Sequence, residues 1–196
     1  MRLYRLLERT RFRAIAARVY RVTVIGADRI PLTGPVILVA NHESLFDPWL
    51  LALATPRPVR YMAKSELWRY RIIGAAMDSF GAFPVERGTG DATAISRAAA
   101  LLRAGEVLGM FPQGTSKIRA QRPFHRGAAR LSLVTGAPLV PVSLVGTRGI
   151  PWPWKGRQTL IRVGEPISSA PGRPTVAAAK ALTAEIELRI LDAAAR

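Results

Sequence analysis

Alternating strand-like and helical stretches predict an α/β layered domain. Two further observations bound it. The chain has 196 residues, 49% of them hydrophobic, which suits one domain with a sizeable core and argues against disorder. It shows no internal repeat, linker or low-complexity tract. The expected architecture is a single domain over residues 21–196, with a mostly parallel or mixed central sheet flanked by helices. A basic amphipathic segment, residues 1–20, precedes it.

Residues 2–18 carry helical periodicity. Arg2, Arg5, Arg9 and Arg13 share one face, and Leu3, Leu6, Leu7, Ala14 and Ala17 form the neighbouring one. This suits an anionic membrane surface, and equally a helix packed on its own domain with a solvated arginine face. "YRVTVIG" is strand-like, and "GPVILVAN" is a buried strand introduced by a Gly-Pro turn. "DPWLLALA" is a short helix, because Asp-Pro is a common helix start. "PVRYMA" is a strand, residues 65–78 are helical, and "GAFPVERG" is a short strand leaving a turn. "DATAISRAAALLRAGE" is a helix with Asp91 as N-cap and Gly105 just past its end. "VLGMF" is a buried strand, "GAARLSLVTG" a helix, and "PLVPVSLVG" and "QTLIRVGEP" are strands. A helix over residues 174–193 closes the chain, with Ala179, Leu182, Ile186 and Ile190 on one face.

Composition excludes some chemistries. Without cysteine there are no disulfides and no thiolate metal sites, and two histidines far apart do not make a metal cluster. Lys and Arg total 29 against 13 acidic residues, a net charge of +16 that attracts anions: nucleic acid, anionic lipid or phosphorylated small molecules. The longest uncharged stretch, Leu131–Thr147, is 17 residues long and interrupted by Gly136, Pro138 and Pro141. A bilayer-spanning helix wants about 20 apolar residues, so any membrane contact is expected to be peripheral. The arginine-rich N-terminus lacks the long apolar run of a secretory signal. Nucleic acid is not expected as a partner, because no reader motif accompanies the charge.

Sites in layered α/β folds gather at the C-terminal ends of strands. His42 stands just past one apolar strand and "PQGTSK" just past another. A neutral imidazole can take a proton from a hydroxyl near physiological pH. A carboxylate on its other nitrogen fixes the tautomer, and Asp47 is close enough in the loop to serve. Asp47 also suits a helix cap, and both roles are compatible. There is no G-x-S-x-G elbow, so His42 is better suited to a substrate hydroxyl than to a protein serine. Residues 109–130 look at first like a P-loop, but Thr115 and Ser116 separate Gly114 from Lys117, so the match fails. What remains is a turn offering backbone N–H groups, hydroxyls and Lys117 to an anion. Arg87 ends another strand and suits bidentate phosphate binding. In "RGIPWPWKGR", Trp152 and Trp154 suit a lipid interface, base stacking or packing over the domain edge.

Together these pieces resemble the glycerolipid acyltransferase family, most closely its bacterial 1-acylglycerol-3-phosphate acyltransferases. Four ordered blocks carry the resemblance over roughly residues 20–165: Asn41, His42 and Asp47 as N-H-x4-D; "GAFPVERG" with Arg87; "FPQGTSK" for F-P-E-G-T-R-S; and "LVPVSLVG". "FHRGAARLS" fits the segment that usually follows the third block. The resemblance implies a glycerol-3-phosphate acyltransferase-like fold resting on the cytoplasmic face of the cell membrane. It implies His42 as general base, oriented by Asp47, on a lysophospholipid hydroxyl that attacks the thioester of acyl-CoA or acyl carrier protein. It implies Arg87, Gln113, Gly114, Thr115, Ser116 and Lys117 as holding the acceptor, with no cofactor and no metal. The third block departs from the pattern: Gln113 replaces glutamate, Ser116 arginine and Lys117 serine. That leaves open another acceptor (a glycolipid, a different lysophospholipid or an aminolipid), or a non-catalytic basic module on membrane or nucleic acid.

Overall fold

A computed structural model describes residues 12–86, 92–114, 123–148 and 158–195. Seven strands form one sheet: β1 (Val22–Ile25), β2 (Val36–Ala40), β3 (Val59–Lys64), β4 (Ala82–Val85), β5 (Val107–Met110), β6 (Leu139–Val145) and β7 (Thr159–Val163). The described helices are α1 (Phe12–Val19), α2 (Asp47–Leu53), α3 (Arg71–Ser79), α4 (Ala92–Arg103), α5 (Gly127–Thr135) and α6 (Val176–Ala195). The strand order is β1-β7-β6-β2-β5-β3-β4. Strands β6, β2, β5, β3 and β4 are mutually parallel, whereas β7 runs antiparallel to β6 and carries β1 parallel to itself. The sheet is therefore mostly parallel with a reversed edge, as the alternating sequence predicts.

Crossovers between parallel strands are right-handed, so the direction of each step along the sheet selects the face its helix covers. The steps β2 to β3 and β3 to β4 go one way, and those from β4 to β5 and β5 to β6 go the other. The core divides accordingly. Leu50 and Leu51 of α2, with Met77 and Phe80 at α3, pack with Val36, Leu38 and Ala40. Leu102 of α4, Leu131 of α5, and Ile186 and Ile190 of α6 pack with Ile37 and Val39 on the opposite face. β2 is buried on both faces, which explains its unbroken apolar run. Pro84 costs the sheet little because β4 is an edge strand.

Most predicted elements form within a residue or two of their expected bounds. The helix expected over 65–78 is instead a 3-10 turn, Ser65–Arg69, and α3, separated by Tyr70 in an extended conformation (φ −99°, ψ 108°). The break lets α3 pack back on the turn, where Gly74 lies so close that an added Cβ would sit 3.1 Å from Trp68 Cδ1. Gly105 takes φ +77° just beyond α4, as expected for a helix stop. Asp91, Trp152, Trp154 and residues 1–11 lie outside the described residues. Away from the strand C-termini, Arg57 ties three loops together by donating to the carbonyls of Pro31, Gly34 and Gly105 at 2.6–2.7 Å. Burial pushes its guanidinium below its ordinary pKa.

Candidate active site

The step from β2 leads to one face of the sheet and the step from its neighbour β5 to the other. Such a switch point opens a crevice at the strands' carboxyl ends. His42 follows β2 and Gln113 follows β5, so both line that crevice.

Asn41 extends β2 by side chain. Its amide donates to the Leu144 carbonyl at 2.8 Å and accepts from the Leu144 N–H at 2.7 Å. This pair replaces the backbone bonds that the sheet would make there and fixes where the chain leaves it. His42 comes next. Its backbone N–H donates to Gln113 Oε1 at 2.6 Å, joining segments 71 residues apart. Its ring stacks on Phe111, with centroids 4.4 Å apart. Tyr61 continues the aromatic floor, lying parallel to Phe111 and Phe80 and donating its hydroxyl to the Pro48 carbonyl at 2.6 Å.

Asp47 folds back from the first turn of α2. Its Oδ2 lies 2.9 Å from His42 Nδ1 and accepts the backbone N–H groups of Glu43 and Ser44 at 2.5 and 2.7 Å. The oxygen that meets the imidazole thus also ties down the loop before α2; the helix cap expected of Asp47 does not form, since Phe46 holds the N-cap position and no side chain bonds the first N–H groups of α2. The carboxylate is fully buried, and the histidine side chain keeps 13% of its surface exposed. Oδ1 of Asp47 is buried without a hydrogen-bond partner among the described residues. Glu43, the loop's other carboxylate, pairs with Arg148 beyond β6 at 3.1 Å. Nδ1–H directed at Asp47 leaves Nε2 as the ring's acceptor. The arrangement can hold a neutral imidazole as a base and stabilise the imidazolium once a proton arrives.

The sequence-predicted residues meet here only in part. His42 and Asp47 are in contact, Gln113 holds the His42 backbone, and Gly114 turns the chain with φ +71° beside His125. Arg87, Thr115, Ser116 and Lys117 lie outside the described residues. Sequence reasoning gave Asn41 and Phe111 no separate role, although both flank predicted site residues at strand ends. No group of three or more potential metal ligands occurs among the described residues.

The sequence profile of the acyltransferase family matches residues 21–145. The 1-acyl-sn-glycerol-3-phosphate acyltransferase of Bacillus subtilis is 32% identical over 151 residues, covering 76% of this chain and 75% of that protein. A chloroplast 1-acyl-sn-glycerol-3-phosphate acyltransferase of Brassica napus is 30% identical over 65% of this chain, which spans 38% of that longer protein. The crystal structure of the 1-acyl-sn-glycerophosphate acyltransferase of Thermotoga maritima superposes with a TM-score of 0.72 at 25% identity, covering 95% of this chain and 76% of the other. Fold and sequence agree that the chain belongs to the acyltransferase family and is an O-acyltransferase.

Proposed function

We propose that the enzyme transfers an acyl chain from the thioester of acyl-CoA or acyl carrier protein to the free hydroxyl of 1-acylglycerol-3-phosphate, giving phosphatidate. The observation that carries this reading is the 2.9 Å contact between His42 Nδ1 and the buried Asp47 Oδ2. With Nδ1–H held, Nε2 takes the hydroxyl proton as the oxygen attacks the thioester carbonyl. The new C–O bond forms, the C–S bond breaks, and the proton passes from His42 to the departing thiolate. No protein nucleophile is needed. Arg87 and the Gly114–Lys117 turn are the groups proposed to hold the acceptor's phosphate. The relatives' names supply the acceptor class, and the +16 charge suits both a phosphate and the anionic inner face of a membrane. Gln113 offers the same carbonyl oxygen to His42 that a glutamate would, so its replacement does not by itself require a different acceptor.

The test follows thiol release from acyl-CoA with lysophosphatidate in mixed micelles. The chain has no cysteine and adds no thiol background. Release should require the acceptor and fall about 10²–10⁴-fold in His42→Ala. Undiminished turnover in that variant ends the mechanism. Release with a glycolipid or aminolipid but not with lysophosphatidate reassigns the acceptor.

A further inference from the structure

We propose that His125 binds the acceptor's phosphate, so that the chain's two histidines divide one substrate: His42 takes the proton of its hydroxyl, and His125 donates to its phosphate. The inference rests on the lysophosphatidate reading above and adds to it a residue outside the four sequence blocks.

The two histidines are far apart in sequence, but the fold brings both to one turn. Phe111 to Gly114 leave the carboxyl end of β5, and the Gly114 N–H closes the turn by donating to the Phe111 carbonyl at 3.0 Å. His42 stacks on Phe111 and donates its backbone N–H to Gln113. His125 meets the same turn. Its backbone N–H donates to the Pro112 carbonyl at 2.9 Å, and a Cβ added to Gly114 would sit 3.5 Å from both its Cδ2 and its Nε2. Glycine serves the φ of +71° there, and without a side chain it leaves that edge of the ring uncovered. His125 is exposed, and among the described residues its ring makes no hydrogen bond or ion pair.

The surroundings favour an anion. α5 leads from the end of β5 back to the start of β6, so its N-terminus lies at the same edge as His42. Arg126 holds the N-cap position there, and no side chain caps the helix. The first N–H groups of α5 and the positive end of its dipole thus add to the exposed guanidinium groups of Arg126 and Arg130. Between Glu106 and Glu165 the sequence contains no carboxylate side chain. In the loop after β2, Glu43 is paired with Arg148 and Asp47 with His42. The acceptor's shape matches. In 1-acylglycerol-3-phosphate the free hydroxyl and the phosphate sit on adjacent carbons, so the base and the phosphate's donors must stand close together, as two side chains against one short turn do. An imidazole donates to a phosphate oxygen from Nε2–H when neutral and from both nitrogens when charged.

The experiment pairs kinetics with direct binding on the full chain. His125→Ala should raise KM for lysophosphatidate by about 10- to 150-fold, the worth of a hydrogen bond to a charged group, while kcat changes far less. Its unfolding midpoint should hold, because the bond to Pro112 comes from the backbone. His125→Lys keeps a donor and should recover most of the loss. Arg103→Gln, which removes an exposed cation from the last turn of α4, should leave KM unchanged. Binding is followed by the ring C–H resonances of the two histidines, those of His125 being the pair lost in His125→Ala. Glycerol 3-phosphate should move the His125 signals, and glycerol should not. A wild-type KM in His125→Ala, an equal rise in Arg103→Gln, a loss confined to kcat, or His125 signals that glycerol 3-phosphate leaves in place overturns the proposal. If glycerol 3-phosphate moves those signals and binds more weakly to His125→Ala while no acylation of lysophosphatidate is found, the acylation reading fails and the phosphate site stands.

Discussion

Asp47→Asn separates the two tasks that one carboxylate oxygen performs. The asparagine carbonyl can still accept the Glu43 and Ser44 N–H groups, so the loop that leads into α2 keeps its anchor. Each of those bonds weakens from charge-assisted to neutral, a loss of about 1–1.5 kcal/mol apiece. Against this, the variant no longer buries a full charge, whose desolvation costs several kcal/mol. Its amide nitrogen takes the place of Oδ1, which has no partner among the described residues, adding about 1–3 kcal/mol of unmet hydrogen bonding. These contributions oppose one another, and the expected change in stability is within about 2 kcal/mol. Catalysis has no such compensation. In the proposed mechanism, the imidazolium formed at His42 would lose its counter-charge 2.9 Å away, and the tautomer would no longer be held. Turnover should fall by about 10²–10⁴-fold, or ~3–5 kcal/mol of barrier. The assay pairs thiol release with thermal unfolding of the same sample. A folded variant with wild-type kcat/KM would refute the reasoning and leave Asp47 as an anchor of the loop alone.

Three other substitutions probe the support around the site. Gln113→Leu leaves the His42 N–H without its acceptor, a cost of about 1–3 kcal/mol. If that is expressed in the transition state, kcat falls roughly 5- to 150-fold, while Gln113→Glu, which keeps an oxygen there, should retain activity. Gly109→Ala places a methyl 2.9 Å from Tyr61 Cδ1 and 3.0 Å from Val59 Cγ1. Overpacking of this kind costs about 1–3 kcal/mol. Because Tyr61 also holds the Pro48 carbonyl beside Asp47, the variant should lose turnover as well as melting temperature. Arg57→Met removes donors from three loop carbonyls remote from His42, and should lower stability by about 2–4 kcal/mol while kcat in the remaining folded protein stays unchanged.

Local periodicity accounts for the part of the fold that is legible in the chain. A run such as Val36–Ala40, apolar at every position, reports burial on both sheet faces and so a central strand. Alternating strand and helix patterns report the layered class, and the five-residue interval from His42 to Asp47 lies within one loop and helix start, where local geometry closes the contact. The helix expected over 65–78 shows the limit of such reasoning. Its helical residues are largely correct, but the break at Tyr70 comes with the packing of Gly74 against Trp68, a contact that periodicity does not encode. Only the tertiary structure inserted β5 between β2 and β3, bringing Gln113 to the His42 backbone. Only it paired Asn41 with Leu144 across 103 residues and stacked Phe111 beneath the imidazole. The reversed β1 and β7 likewise decide that α1 ends at the same edge as His42 and α3. The physical reason is common to all of these. A periodicity tells each segment which face to bury, whereas strand order and direction are set by how remote segments share those faces, and the site is built where they meet.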